Sequence, residues 1–457
     1  MLRTIFFKPL KSNQAFKLIY KQRATLATSS RQIRGAQPSL IETDQYDPSF
    51  AKKVYTVRPV TFWMDKILEK ENKRPLNIPS NQYQHQIINK TMMDSYMEEY
   101  LPFKSSPALL DEYITTGGKI RIGKILEDLD ALAGAISYKH IDTFNPRAPP
   151  LTVVTASVDR MELLMPNTVE DLKLSGHVAY VGKSSMEVFV KVETIPKYDS
   201  NMVESSPFPP QNFLAEPTPN TVLFGRFTMV AIDSTTGKSV HINPLIAHNE
   251  REMRIFEYAQ ECKSRKKLIG ESALDKVPPT DDERLTLHDL YMKNANQLSS
   301  PSAWIEDTKL KSVFLMQPQD RNIHNKVFGG YLMRRAYELA HATGSVFCKT
   351  PVHLLSLDEI VFKKPVPVGS LLNLSSKVIY SQDDSFQVSV TAEVTDMKTN
   401  TTDVTNTFHF SFTTQRKVVP QIFPKTYAEG MLYLEGKRRH EHGLQAKKQL
   451  LSLMSSS

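Results

Sequence analysis

Gln319–Ala342, QDRNIHNKVFGGYLMRRAYELAHA, decides how the rest of the chain is read. A polar loop, Asp320-Arg321-Asn322-Ile323-His324-Asn325-Lys326, runs through Val327-Phe328 into Gly329-Gly330. A helical pattern then starts at Tyr331. Leu332, Ala336, Leu339 and Ala340 are spaced for one buried face, and Arg334, Arg335 and Glu338 face elsewhere. Paired glycines at a helix entry admit a close neighbour, backbone or ligand. Free N–H groups at a helix N-terminus favour developing negative charge. The stretch therefore reads either as a loop that stabilises an oxyanion or as a plain polar loop with a glycine turn.

The same order occurs earlier. Gly117-Gly118-Lys119-Ile120-Arg121-Ile122-Gly123 precedes KILEDLDALAGAISYKH, where Ile125, Leu129, Leu132, Ala133 and Ile136 share a helical face. Strand-like runs follow: LTVVTASVDRMELL, LKLSGHVAYV, SMEVFVKVET and TVLFGRFTMVAID. In the third, Val188, Val190 and Val192 fall on one face and Phe189 on the other. After the second helix come Pro351–Pro365, LLNLSSKVIYS, FQVSVTAEVTD and TTDVTNTFHFSFTT. Ser157-Val158-Asp159-Arg160 parallels Ser356-Leu357-Asp358-Glu359, and Val181-Gly182-Lys183-Ser184-Ser185 parallels Ser381-Gln382-Asp383-Asp384-Ser385. This is an internal duplication of a domain-sized unit. One helix with an antiparallel sheet in each unit makes the class α+β.

The remaining segments frame those units. No acid occurs from Met1 to Ile41, while Arg3, Lys8, Lys11, Lys17, Lys21, Arg23, Arg31 and Arg34 recur among apolar and hydroxyl residues. That composition predicts a mitochondrial transit peptide over 1–35, the alternative being a basic arm for anionic surfaces. Residues 36–84 read as an extended lead-in, and residues 81–116 carry short helical patterns, including Met92–Leu101 and Ala108–Tyr113. The first domain is expected over 85–245, a helical linker over 246–300, the second domain over 301–420 and a basic tail over 421–457. In the linker, Arg265, Lys266 and Lys267 read as a solvated face.

Composition sets limits. The 457 residues are 40% hydrophobic, enough for packed cores, and the net charge of +8 is concentrated at the N-terminus. No apolar run approaches the ~20 residues that cross a bilayer. Cys262 and Cys348 provide neither a disulfide framework nor a metal spacing, which fits a reducing compartment. There is no G-x-S-x-G elbow and no H-E-x-x-H, no metal is expected, and basic residues without an RNA-binding signature do not indicate nucleic acid.

DRNIHNKVFGGYLM, FKKPVPVGS and VGKSS, in that structural context, resemble the hotdog-fold acyl-CoA thioesterases. The resemblance covers most of the chain after the first 35 residues. It implies two tandem hotdog units, each a central helix wrapped by an antiparallel β-sheet. It also implies hydrolysis of fatty acyl-CoA, with coenzyme A as part of the substrate and no separate cofactor. A homo-oligomer, a trimer of double-hotdog chains, and a place in the mitochondrial matrix are implied too.

In single-unit members of that family a helix acid lies seven residues past the second glycine. Seven past Gly123 is Asp130; seven past Gly330 is Tyr337, which has no carboxylate. The first half carries Thr115-Thr116-Gly117-Gly118-Lys119 where the second carries its Asn- and His-bearing loop. Each half has kept one part, so one composite site is expected, Asp130 facing the 322–330 loop, with a dead pseudo-site near Tyr337. Asp130 would activate water, amides near Gly329 and Gly330 would polarise the carbonyl, and Asn325, His324 or Asn322 would position water or substrate. Lys326 departs from the Asp or Asn common in relatives, so the active loop side chain stays open.

Gly182, Lys183, Ser184 and Ser185 match the family's coenzyme A-contacting hairpin. They are not a P-loop, because the glycine spacing is one residue too long and strands flank it. The second half has Gln382-Asp383-Asp384 there, acids that repel phosphate. Two other functions compete: a non-catalytic acyl-CoA-binding subunit of a mitochondrial assembly, and a hotdog dehydratase, whose hydratase-type motif is missing.

Overall fold

The computed structural model describes residues 87–456, apart from 144–150, 165–167, 196–212, 235, 272, 275, 296–301, 318–326, 328 and 416. The predicted transit peptide and the whole of the lead-in lie outside the described residues.

Among the described residues, twelve strands form one sheet. In chain order they are β1 (Met97–Leu101), β2 (Leu151–Val158), β3 (Met161–Leu163), β4 (Asp171–Val181), β5 (Ser185–Ile195), β6 (Thr221–Asp233), β7 (Leu310–Leu315), β8 (His353–Leu357), β9 (Ile360–Val361), β10 (Leu371–Gln382), β11 (Ser385–Thr395) and β12 (Thr402–Thr413). The longer helices are α1 (Ile122–Ile141), α2 (Glu250–Glu271), α3 (Asp281–Ala295), α4 (Gly329–Cys348) and α5 (Tyr427–Ser456). The mixture of core helices and antiparallel strands makes the fold α+β.

The strand order is β7-β10-β11-β12-β8-β3-β6-β5-β4-β1, with β2 against β6 and β9 against β2. The path reads alike from either end. It is joined in the middle where β8 pairs with β3, Ser356 opposite Glu162 and Leu357 opposite Met161. Irregularities of register recur at matching places. Those at Val178/Tyr180, Val192/Glu193 and Thr155/Ser157 have counterparts at Val378/Tyr380, Ala392/Glu393 and Leu354/Ser356. Bulges re-aim a strand, so the two sets of strands bend alike.

α1 and α4 lie against each other on the inner face of the sheet, and their apolar sides share one core. Ile125, Leu129, Leu132, Ala133 and Ile136 are buried from α1, and Leu332, Ala336, Leu339 and Ala340 from α4, as the periodicity predicts. On β5, Val188, Val190 and Val192 enter that core, while Phe189 joins a smaller outer cluster with Leu214, Ala215, Ile255 and Ala259. α2 is therefore seated on the outer face of the sheet through the residues that give it an apolar side.

One expected element differs. Met92–Leu101 reads as helical, but the helix stops at Ser95 and Met97–Leu101 is the edge strand β1, antiparallel to β4. Its Glu98 is buried and accepts from the Tyr96 and Tyr100 hydroxyls, an arrangement that serves a covered edge. A five-residue strand with inward acids carries no alternation to read. LTVVTASVDRMELL likewise divides into β2 and β3.

Candidate active site

Asp130 lies in the interior of α1 and is fully buried. Both carboxylate oxygens are engaged. Thr155 Oγ1, on β2, donates to Oδ1 at 2.8 Å, and Gly330 N, at the start of α4, donates to Oδ2 at 2.6 Å. Loss of hydration disfavours the charged form. Burial accordingly pushes Asp130 up from the ordinary carboxylate range to about 6, while the Thr155 and Gly330 hydrogen bonds restrain the rise and Glu127 adds to it.

The contact depends on glycine. A Cβ on Gly330 would lie 3.0 Å from Asp130 Cβ and 3.0 Å from both Cα and O of Glu127. A Cβ on Gly329 would lie 3.3 Å from Asp130 Oδ2 and 3.3 Å from Phe362 Cζ. Phe362 follows β9 and its N–H donates to Ala156 O at 2.9 Å, which ties this wall to β2. Upstream of the helix, Val327 is anchored through its N–H to Val366 O at 3.0 Å. Asn322, His324 and Asn325 lie outside the described residues.

The mirrored position is built differently. A Cβ on Gly123 would lie 3.1 Å from Tyr337 Cδ1 and 3.2 Å from Arg334 Cγ, so α1 and α4 approach at both glycines. Tyr337 sits where Asp130 sits, with its ring 6.3 Å from Phe412 and 6.0 Å from Phe410. Burial, then Glu338, pushes its phenol up. The bulges align Leu354 with Thr155, so the residue in that register carries no hydroxyl. Glu127 and Arg334, each four residues past its glycine, pair with one another at 2.9 Å across the helix contact.

Gly182–Ser185 forms the β4–β5 hairpin, as expected. Gly182 N donates to Ser185 O at 2.8 Å, and Ser184 O accepts from Ala231 N at 2.9 Å. Lys183 is exposed. The hairpin is near the strand of Thr155 in register: Ser185 opposes Val230, and Val230 opposes Val154, the neighbour of Thr155.

No family model matches the chain. Acyl-coenzyme A thioesterase 9, mitochondrial, of Mus musculus is 38% identical over 391 residues, 83% of this chain and 84% of the mouse protein. The protein of the same name from Homo sapiens is also 38% identical, over the same shares of the two chains.

The chain belongs to the acyl-CoA thioesterase family, a family of thioester hydrolases.

The likeness extends to acyl-coenzyme A thioesterase 2, chloroplastic, of Humulus lupulus, which is 32% identical and is matched over 85% of its length. A solved acyl-CoA hydrolase from Staphylococcus aureus aligns at 26% identity with 34% of this chain and 99% of its own, with a TM-score of 0.31.

Among the residues expected from the sequence, the structure of this thioesterase brings Asp130 and Gly330 together and leaves Tyr337 in an aromatic setting. Thr155 was not expected. It lies 25 residues beyond Asp130 on another element, within an ordinary strand run, and only a hydroxyl in an otherwise apolar-flanked TVVTAS hinted at it. Gly330 also differs in detail: its N–H is donated to the carboxylate, so it orients the acid. Among the described residues no cluster of His, Cys, Asp and Glu is placed to hold a metal ion, and no helix is long and apolar enough to cross a membrane.

Proposed function

We propose that this chain hydrolyses fatty acyl-CoA to free fatty acid and coenzyme A at one composite site between two tandem hotdog units, residues 85–245 and 301–420. The carrying observation is a fully buried carboxylate, raised toward neutral pH, held against the first turn of the other central helix. A base works best when its pKa lies near the operating pH.

In this reading Asp130 takes a proton from water as the water oxygen attacks the thioester carbon. The carbonyl oxygen gains negative charge, which the Gly329 N–H stabilises; at the first position of α4 it has no intrahelical acceptor. The tetrahedral intermediate collapses, the C–S bond breaks, and coenzyme A leaves as thiolate and recovers the proton from Asp130. Thr155 and Gly330 hold the carboxylate in place. Asn325, His324 or Asn322, on the loop before α4, positions the water or the substrate. Gly182, Lys183, Ser184 and Ser185 contact coenzyme A. The Tyr337 position, with Leu354 in place of a hydroxyl, does no chemistry.

The mitochondrial names of the mouse and human relatives, with the acid-free basic first stretch, support import into the mitochondrion, and within it we assign the protein to the matrix. Assembly into a homo-oligomer, a trimer of these chains, is supported by the end strand β7, whose Val313 and Leu315 are exposed.

Release of free thiol from a panel of acyl-CoAs, in wild type and Asp130→Asn, tests the reading. Removing a general base is expected to lower kcat by about a thousandfold. Near-normal turnover by a folded Asp130→Asn protein sinks it.

A further inference from the structure

Helix α2 passes over the Gly182–Ser185 hairpin, and the side chain it brings there is Lys263. Its Nζ donates to Ser185 Oγ at 3.0 Å and stands 5.3 Å from the Tyr180 ring centroid. Gly182 leaves the room: a Cβ there would lie 3.0 Å from the ammonium and 2.9 Å from Ser185 Oγ. An ammonium has three donors, and Ser185 accepts one. Among the described residues no carboxylate pairs with Lys263. Lys183 is on the turn itself and exposed. Two cations and two hydroxyls therefore share one hairpin tip, with no acid paired to Lys263 among the described residues.

The chain contains its own comparison. α5 packs on the second hairpin as α2 packs on the first. Phe256 lies 5.0 Å from Tyr180, and Tyr433 lies 5.1 Å from Tyr380. Seven residues further along each helix another side chain meets that tyrosine, Lys263 on α2 and His440 on α5, the latter at 5.5 Å. Where the first tip has Lys183, Ser184 and Lys263, the second has Asp383, Asp384 and His440, followed by Glu441. The same packing thus places lysines at one tip and two turn aspartates at the other, where His440 faces Asp383, Asp384, Glu441 and also Arg160. A ring face favours a cation, which accounts for Lys263 over Tyr180 but not for the second cation, Lys183, on the turn.

We infer that Lys263, with Lys183 and Ser185, forms the subsite for a phosphate of coenzyme A, and that α2 is part of the substrate site as well as a cover for the sheet. The inference rests on the acyl-CoA reading above. The tip is placed for it. Ser185 and Val154 lie two strand spacings apart, about 10 Å, with Thr155 next along β2. An extended pantetheine arm spans that distance between the thioester and the nucleotide phosphates.

The test compares kcat/KM for an acyl-CoA and for the matching S-acyl pantetheine, which keeps the thioester and has no phosphate. Wild type, Lys263→Gln and Lys263→Glu are measured. The acyl-CoA to acyl-pantetheine ratio is expected to fall about tenfold in Lys263→Glu, through KM, and by less in Lys263→Gln. The wild-type ratio is expected to fall as salt is added. An unchanged ratio overturns the inference. So does an equal loss on both substrates, which is the result if Lys263 only braces Ser185. Wild-type protein that releases thiol from neither substrate overturns the acyl-CoA reading itself.

Discussion

Asp130 and Gly330 are 200 residues apart in the chain and 2.6 Å apart in space, carboxylate oxygen to amide nitrogen. The contact couples the acid of one helix to the first turn of the other, in a setting that moves the acid to about 6. If Asp130 is the base, kcat/KM rises as it deprotonates. The profile should follow one ionisation near pH 6 and level off above it. Thr155→Val removes a hydrogen bond that favours the charged form, so it should lower activity and move this limb to higher pH. A profile flat across the acid range, or one that Thr155→Val leaves in place, counts against the assignment.

The same burial predicts a stability effect of unusual sign. An acid whose folded pKa lies above its unfolded value binds its proton more tightly when folded. Its contribution is fully present below the unfolded value of 3.8 and is lost as pH rises to about 6. The loss is on the order of 3 kcal/mol at about 1.4 kcal/mol per pKa unit. Asp130→Asn cannot ionise, so it should gain on wild type as pH rises from 4 toward 7, by up to about that amount. A constant offset accompanies it, because the amide cannot accept from both Thr155 and Gly330. Denaturant unfolding of both proteins across this range measures the difference, and a difference independent of pH would show that Asp130 keeps an ordinary pKa.

The two glycines should respond unequally to alanine. At Gly330 the added carbon meets Glu127 backbone and Asp130 Cβ at 3.0 Å, atoms that cannot turn aside. Gly330→Ala should separate the helices, cost about 1–3 kcal/mol, and lose most thioester turnover. At Gly123 the neighbours are the side-chain atoms Tyr337 Cδ1 at 3.1 Å and Arg334 Cγ at 3.2 Å, and the nearest backbone atom, Arg334 O, is at 3.5 Å. Gly123→Ala should fold with a smaller loss of stability and keep turnover. Equal effects in melting and activity assays would show that the helix contact at Gly330 has no special part.

Much of this arrangement is legible in the sequence because the order of glycine, helix and strands occurs twice in it. The glycine-to-helix spacing singles out Asp130 and Tyr337 together, and Lys183 against Asp383 shows which hairpin suits an anion. What is not legible depends on juxtaposition across elements. Thr155 reaches Asp130 only because β2 is bulged and packed on α1. Lys263 reads as one more charge on an amphipathic helix until α2 is laid over Gly182. β1 is missed because its buried Glu98 and Glu99 contradict the pattern of a covered strand, and Glu98 is satisfied by tyrosines on its own segment. Local periodicity sees none of these partners.

Tyr337 tests whether the mirrored position contributes. Its ring is held by Phe410 and Phe412, and Leu354 occupies the register that Thr155 holds in the other half. Tyr337→Phe keeps the ring contacts and removes a hydroxyl that burial keeps protonated. It should leave thiol release per chain within about twofold of wild type, well under the tenfold that 1.4 kcal/mol of lost stabilisation produces. Tyr337→Asp restores the carboxylate without its hydroxyl partner, in an aromatic setting that cannot solvate it. It should lower stability by more than about 3 kcal/mol and add no second activity. The decisive measurement is kcat per chain: if Tyr337→Phe abolishes turnover in a folded protein, the chemistry is not confined to the Asp130 side.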